Sequence, residues 1–434
     1  MTEVIEKTEY KKGYKKTKLG WIPEDWEVKK LKSLVKINRN TLTENTKPEY
    51  QFYYLDISAV KQGKILIPHN TIIFSEAPCR ARRIVKQNNI LFSTVRPYLQ
   101  SFAVMKNSKE NFVASTGFAI LSDFKNINNM YLYQSLYSNL LMNQYKKSLV
   151  GTNYPALNNT DMLNLKFICP NDIREQEKIA EILSAWDEGI ETLEKLIEQK
   201  EISHKALMKN LLIGKKRYSE FSKNSEYKRT KLGSIPVDWQ IKPLKLLFDK
   251  RMQKYSRDTE HNIFTNSATK GVVLQNEYFD RSIVTEENTS NYYVVGEDDF
   301  MYNPRISQNA PAGPINRNKL GITGIASPLY TIFKAKHDTI VDFYEQYFSS
   351  NLWNNSMFMV ANQGARHDRL NISNNDFMNM PLPYPPIKEQ EKIANILIES
   401  YKEIQLLNSK LEKLKEQKKG LMQKLLTGQI RVKI

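Results

Sequence analysis

The sequence predicts an α+β chain in which one unit is written twice, each unit a globule of strands and helices followed by one long helix. Three observations carry this. Arg174-Glu175-Gln176-Glu177-Lys178-Ile179-Ala180 returns as Lys388-Glu389-Gln390-Glu391-Lys392-Ile393-Ala394, and Leu211-Leu212-Ile213-Gly214 returns as Leu425-Leu426-Thr427-Gly428, both displaced by 214 residues. Tyr14 to Trp26, containing Leu19-Gly20-Trp21-Ile22-Pro23-Glu24-Asp25-Trp26, returns at Tyr227 to Trp239, displaced by 213. Between these landmarks the two halves share almost no sequence, so frame and content are separate.

Each repeated run reads as a single helix. Ile179, Leu183, Trp186, Ile190, Leu193, Ile197, Lys200, His204, Leu207 and Leu211 alternate in steps of four and three, the period of a coiled-coil seam. The second run gives Ile393, Leu397, Ser400, Ile404, Leu407, Leu411, Leu414, Lys418, Leu421 and Leu425. Asp172 with Glu175 predicts a capping box, neither run contains proline, and Gly214 and Gly428 stand where a left-handed cap is wanted. Such a helix would be a rod of about 60 Å. The seam is symmetric about position 195, so an antiparallel partner can match every position, setting Ile179 by Leu425, Leu211 by Ile393 and His204 beside Ser400. Lys418 would lie along Trp186 and Lys200 along Ile404.

In the first globule, Phe52 to Ile57, Ile90 to Val95 and Phe118 to Leu121 read as strands, and a helix is expected from about Met130 to Tyr145. In the second, Tyr292 to Val295 and Leu329 to Phe333 read as strands, a helix is expected near Phe343 to Phe358, and the Pro381 to Pro386 run ends the globule. The expected divisions are an arm at 1–17, a domain at 18–170, a helix at 171–217, a linker at 218–230, a second domain at 231–386 and a second helix at 387–434.

Composition narrows the function. The net charge of +17 over 434 residues points to a polyanionic partner. The excess is uneven, +9 over residues 19–171 and zero over 231–387. No apolar run is long enough to span a bilayer and Met1 to Lys7 lacks the apolar core of a signal peptide, so a cytoplasmic location is expected. Two cysteines, Cys79 and Cys169, and five scattered histidines leave no metal site to read.

No enzyme site is legible either. Asn303-Pro304-Arg305 lacks the second proline and the aromatic of an adenine methyltransferase motif, Pro23 to Lys29 is spaced too tightly for a nuclease site, and Gly321 to Gly324 is too short for a phosphate loop. DNA-reading side chains are better represented. In the first globule these are Arg80, Arg82 and Arg83, then Thr94, Arg96 and Tyr98, then Thr152, Asn153 and Tyr154. In the second they are Asn303, Arg305, Ser307, Gln308 and Asn309, then Arg317, then Arg366, His367 and Arg369. Arg, Asn and Gln are the side chains that bond base edges bidentately. Each residue alone is equally compatible with a solvated loop, but recurrence at comparable places in both halves favours recognition.

The doubled Leu-Gly-x-Ile-Pro-x-Asp-Trp lead-in, the divergent globules and the doubled Glu-Gln-Glu-Lys-Ile-Ala helices closing on Leu-Leu-x-Gly resemble the specificity subunit of type I restriction-modification enzymes, from Tyr14 to the end of the chain. The resemblance implies two target-recognition domains, each reading one half of a split double-stranded DNA sequence, with the helices as an antiparallel coiled coil between them. It implies no catalysis and no cofactor in this chain. Two modification subunits would supply S-adenosylmethionine and adenine methylation; restriction subunits would supply ATP- and Mg-dependent translocation and cleavage. A coiled-coil scaffold whose globules bind proteins is the alternative, and it predicts no salt-dependent DNA affinity.

Overall fold

The computed structural model describes residues 12–61, 63–106, 110–149, 155–222, 226–256, 261–278, 289, 291–361 and 368–434. The chain divides into two compact units, one of Met1–Glu194 with Ser409–Ile434 and one of Lys195–Asn408.

The first unit opens with a hairpin, Tyr14–Thr17 against Gly20–Pro23, turned at Lys18 and Leu19 and closed by Gly20, whose φ is 105°. Glycine adopts that left-handed backbone without steric cost. Trp26–Lys30 then pairs antiparallel with Lys166–Pro170. Between them lie two four-stranded sheets. One has the order Phe102–Val104, Ile90–Ser93, Phe118–Ser122, Lys36–Ile37, and the other Ile72–Ile73, Gln51–Leu55, Phe112–Ser115, Ala81–Val85. Phe112–Ser115 runs parallel to Gln51–Leu55, with Phe112 opposite Tyr53. Ile90–Ser93 and Phe118–Ser122 are buried throughout, as uninterrupted apolar runs covered on both faces should be.

The second unit repeats this order with different residues. Ile315–Arg317, Phe300–Tyr302, Thr331–Ala335 and Phe248–Lys250 form one sheet, and Gly271–Leu274, Asn262–Ser267, Gly324–Ala326 and Tyr293–Val295 the other. The parallel pair recurs too, Asn262–Ser267 with Gly324–Ala326. Two differences from expectation have local causes. Each expected domain helix is a pair: Asn129–Leu136 with Asn139–Ser148, and Val341–Ser349 with Asn354–Val360. In the first, the Ser138 hydroxyl accepts from Leu141 N and starts a new helix. The Pro381 to Pro386 run does more than end the globule, because Pro381–Tyr384 is a strand paired with Gln240–Pro243. Leu382 and Tyr384 alternate with its prolines, leaving amides available for pairing.

Ile173–Leu212 and Ile387–Leu426 are helices of 40 residues each. Their apolar stripes are buried where the seam predicts. In the first unit Ile179, Ala180 and Leu183 share a core with Met422, Leu425 and Leu426. Leu211 and Leu212 share one with Ile393, Ala394 and Leu397 in the second. The beginning of one helix therefore meets the end of the other in both units, which makes the pairing antiparallel. His204 Nδ1 lies 3.1 Å from Ser400 Oγ, Lys200 bonds Glu403 at 2.6 Å and Lys418 bonds Asp187 at 2.5 Å. The expected register is present, and each seam lysine places its ammonium on a carboxylate of the partner helix.

Candidate nucleic-acid interface

The frame that holds the loops is built by the repeated residues. Glu175 and Gln176 are both about 1 % exposed. Glu175 accepts from Trp26 Nε1 at 3.1 Å and from Arg431 at 2.6 and 2.9 Å, while Arg431 also grips Asp25. Gln176 Nε2 donates to Pro170 O at 2.8 Å, and its Oε1 accepts from Asn128 N at 2.8 Å. The second unit repeats the cluster with Glu389, Trp239, Arg217 and Asp238. The expected capping box is thus only half formed. Asp172 Oδ1 accepts from Arg174 N at 2.8 Å, but Glu175 turns inward to the Trp26 indole. Sequence reasoning passed over Arg217 and Arg431, which the displacement of 214 residues relates to each other.

Upon this frame each unit pairs two loop segments by backbone hydrogen bonds. In the first, Arg96 N donates to Pro155 O at 2.8 Å and Leu157 N to Thr94 O at 2.9 Å, pairing the segment after Ile90–Ser93 with the one after Gly151. In the second, Ile306 N donates to Asp368 O at 3.1 Å and Leu370 N to Pro304 O at 2.9 Å. Pro155 and Asp368, like Leu157 and Leu370, are 213 residues apart, so the two loop pairs are equivalent although their sequences are unlike.

The first loop pair also gathers the arginine cluster. Thr116 N donates to Arg80 O at 2.8 Å, and the next residue, Gly117, accepts both Thr94 N and Thr94 Oγ1 at 2.9 Å. Thr94 therefore spends its hydroxyl on the backbone. Arg80 is exposed, Arg82 lies 5.0 Å from the Phe74 ring centre, and Arg83 donates to Thr41 Oγ1 at 3.2 Å. Burial lowers the Arg83 pKa, and its Nε is enclosed without an acceptor among the described residues. Arg96 has φ of 47° and Gln100 φ of 55°, so a short 3-10 turn carrying half-buried Tyr98 is bracketed by two left-handed residues.

In the second loop pair, Arg305 faces Arg369 across the backbone bridge. Ser307 and Ala310 exchange backbone bonds at 3.0 and 3.1 Å, closing a turn on which Ile306, Ser307, Gln308 and Asn309 are exposed along with Arg305. Arg369 is half-buried, 3.6 Å from Asp368 Oδ1. Two residues expected to read DNA are engaged within the protein. Asn303 is buried, its Nδ2 on Asn266 O at 3.1 Å and its Oδ1 on Arg305 N at 3.0 Å. Arg317 is held by Asp298, Asp342 and Glu345, an ion network that leaves little of it exposed. Asn266, which the sequence reading missed, lies in the buried polar run Thr265-Asn266-Ser267 that follows Ile263 and Phe264, and a strand with four polar residues among six carries no apolar signal by which to find it. Thr152, Asn153, Tyr154, Arg366 and His367 lie outside the described residues.

Among the described residues no helix is long and apolar enough to cross a membrane, and no histidine, cysteine, aspartate and glutamate group could hold a metal ion.

Residues 23–202 and 236–416 each match the family described as type I restriction modification DNA specificity domain. A Methanocaldococcus jannaschii protein, putative type I restriction enzyme MjaX specificity subunit, is 26% identical over 97% of both chains. The MjaVIII specificity subunit of the same organism is 27% identical over 95% of this chain and 94% of its own. Among solved structures, the HsdS subunit of Thermoanaerobacter tengcongensis is similar with a TM-score of 0.50 and 19% identity, over 94% of this chain and 98% of that one. A chain from a study of assembly and conformational transition of the type I R-M system reaches a TM-score of 0.59 at 19% identity, over 94% and 99%. Matched by the family in both of its repeats, the chain belongs to the DNA specificity subunits of type I restriction-modification systems.

Proposed function

We propose that each unit reads one half of a split double-stranded DNA target, and that this chain directs adenine methylation and restriction without catalysing either. The observation that carries the reading is the pair of equivalent loop sites. One strand order and one backbone pairing are used twice, and the side chains mounted there differ: Arg80, Arg82, Arg83 and Arg96 in the first unit; Arg305, Gln308, Asn309 and Arg369 in the second. A constant frame with variable polar loops suits recognition of two unrelated sequences, because base edges are told apart by which donors and acceptors are presented.

Catalysis is assigned to partners. Two modification subunits supply S-adenosylmethionine, and restriction subunits supply ATP- and Mg-dependent translocation and cleavage. The relatives' names, type I restriction enzyme specificity subunits, support this division. The test is an exchange of residues 36–150 for those of another family member, followed by mapping methylated adenines in cells that carry the modification subunits. One half of the target should change and the other persist. A joint change of both halves would contradict separate reading, and DNA affinity without steep salt dependence would favour a protein-binding scaffold.

A further inference from the structure

Ser93 and Asn303 occupy the same place in the two units. Each immediately precedes the residue, Thr94 or Pro304, whose carbonyl accepts the equivalent amide, Leu157 N or Leu370 N. Both are buried at the end of a central strand, and both hold the backbone two residues further on. Ser93 Oγ donates to Val95 O at 2.9 Å, whereas Asn303 Oδ1 accepts from Arg305 N at 3.0 Å. A hydroxyl donor and an amide acceptor are chemically unlike, yet they produce the same hook at the root of the loop.

In the second unit the hook is anchored more deeply. Asn303 Nδ2 donates to Asn266 O, and Asn266 Nδ2 donates to Met301 O at 2.6 Å and Pro314 O at 3.1 Å, tying its own sheet to the other. Asn316 Nδ2 then donates to Asn266 Oδ1 at 2.7 Å. The chain returns so closely that a Cβ on Gly313 would lie 2.1 Å from Asn303 O. The loop bearing Arg305, Gln308 and Asn309 therefore starts from a fixed point.

We propose that Ser93 and Asn303 are positioning residues that set base discrimination in their respective half-sites without touching DNA. This rests on the reading that these loops face the DNA. Discrimination between bases depends on donor and acceptor placement to about half an ångström, so a loop freed at its root can bond the wrong base nearly as well as the right one.

The test uses the full chain in its complex with the modification subunits, S-adenosylmethionine, and a library of DNA duplexes randomised across the target, with methylated molecules sequenced. Ser93→Ala, which removes one oxygen, should lower the preference for the correct base by about tenfold in one half-site and leave the other unchanged. Asn303→Ala should do the reverse, and Asn303→Ser, able to form a Ser93-like hook, should retain more discrimination than Asn303→Ala. Thermal unfolding of each variant identifies any that fail to fold. Unchanged preferences in Ser93→Ala and Asn303→Ala, or equal loss in both half-sites, would overturn the proposal. Arg305→Ala and Gln308→Ala separate the two ideas: if they shift the preference while the hook variants do not, only the positioning role fails, and if they too change nothing, the reading loop itself is misassigned.

Discussion

Arg431 binds Glu175 through two hydrogen bonds of 2.6 and 2.9 Å across 256 residues of sequence, so the end of the chain completes the unit with which it begins. Arg217 does the same for Glu389 at 2.8 Å twice. The glutamates are almost wholly buried, but the arginine side chains differ, 5 % exposed for Arg217 and 41 % for Arg431. Removing one partner of a buried ion pair leaves an uncompensated charge, whereas water can replace an exposed one. Arg217→Ala should thus destabilise the second unit by about 3 to 5 kcal/mol, and Arg431→Ala the first by about 1 to 3 kcal/mol after allowance for solvent screening. Urea unfolding measures both, and equal costs would contradict the argument from exposure.

The helix ends that carry these arginines are fitted closely. Gly428 has φ of +70°, and a Cβ there would stand 2.4 Å from Pro23 Cγ; Gly214 has φ of +69° and would meet Pro236 at 2.6 Å. Tyr14 Oη donates to Gly428 O and Tyr227 Oη to Gly214 O, fixing the same backbone. The left-handed conformation alone costs an L-residue about 1 to 2 kcal/mol. Gly428→Ala and Gly214→Ala should each lose at least that much in denaturant unfolding, whereas Gly189→Ala, which would meet nothing within 4 Å in a helix interior, should gain or lose less than about 1 kcal/mol.

The frame was legible in the sequence because it is periodic and repeated. Ile179 to Leu211 announce their seam, and the symmetry of that seam fixes His204 beside Ser400. The break at Ser138 was not legible, since the apolar stripe of Leu132, Leu136, Leu140 and Leu141 continues through a hydroxyl that caps a second helix. Nor could residue type tell Arg305 from Arg317. One stands on an exposed turn and the other among three carboxylates contributed by distant segments, and only tertiary structure brings Asp298, Asp342 and Glu345 to the same place.

His204 supplies a pH dependence whose sign follows from its burial. Desolvation lowers its pKa below the ordinary histidine value. The unfolded chain then binds more protons than the folded one, so this contribution is fully present above the unfolded pKa of about 6.5 and is lost as pH falls through it towards the folded value. Lys205, Lys209 and Lys402 line the adjoining cleft, and its Glu345 is already engaged by Arg317 and Lys319. The thermal midpoint should fall between pH 7.5 and 5.5, and His204→Leu should flatten that decline. An equally steep decline in the variant would assign it to other groups.

Arg305 and Arg317 offer the sharpest separation of recognition from stability. Arg317 bonds Asp298, Asp342 and Glu345 at 2.6 to 2.9 Å while its own side chain is 14 % exposed. Its removal would leave three carboxylates facing one another, with Lys319 still on Glu345. Because two of those carboxylates are half in water, Arg317→Ala should cost about 1 to 3 kcal/mol of stability, and the DNA sequence chosen should not change. Arg305 is exposed, and among its described contacts are the Asn303 amide on its backbone N and the bridge to Arg369. Arg305→Ala should therefore alter stability by less than about 0.5 kcal/mol while weakening DNA binding by about 1 to 3 kcal/mol if the guanidinium reads a base. A phosphate contact would instead weaken all sequences alike and reduce the slope of log affinity against log salt by about 1. Affinities measured across a salt series for both variants decide the matter, and an Arg305→Ala protein that binds its target as tightly as the parent would remove this loop from the interface.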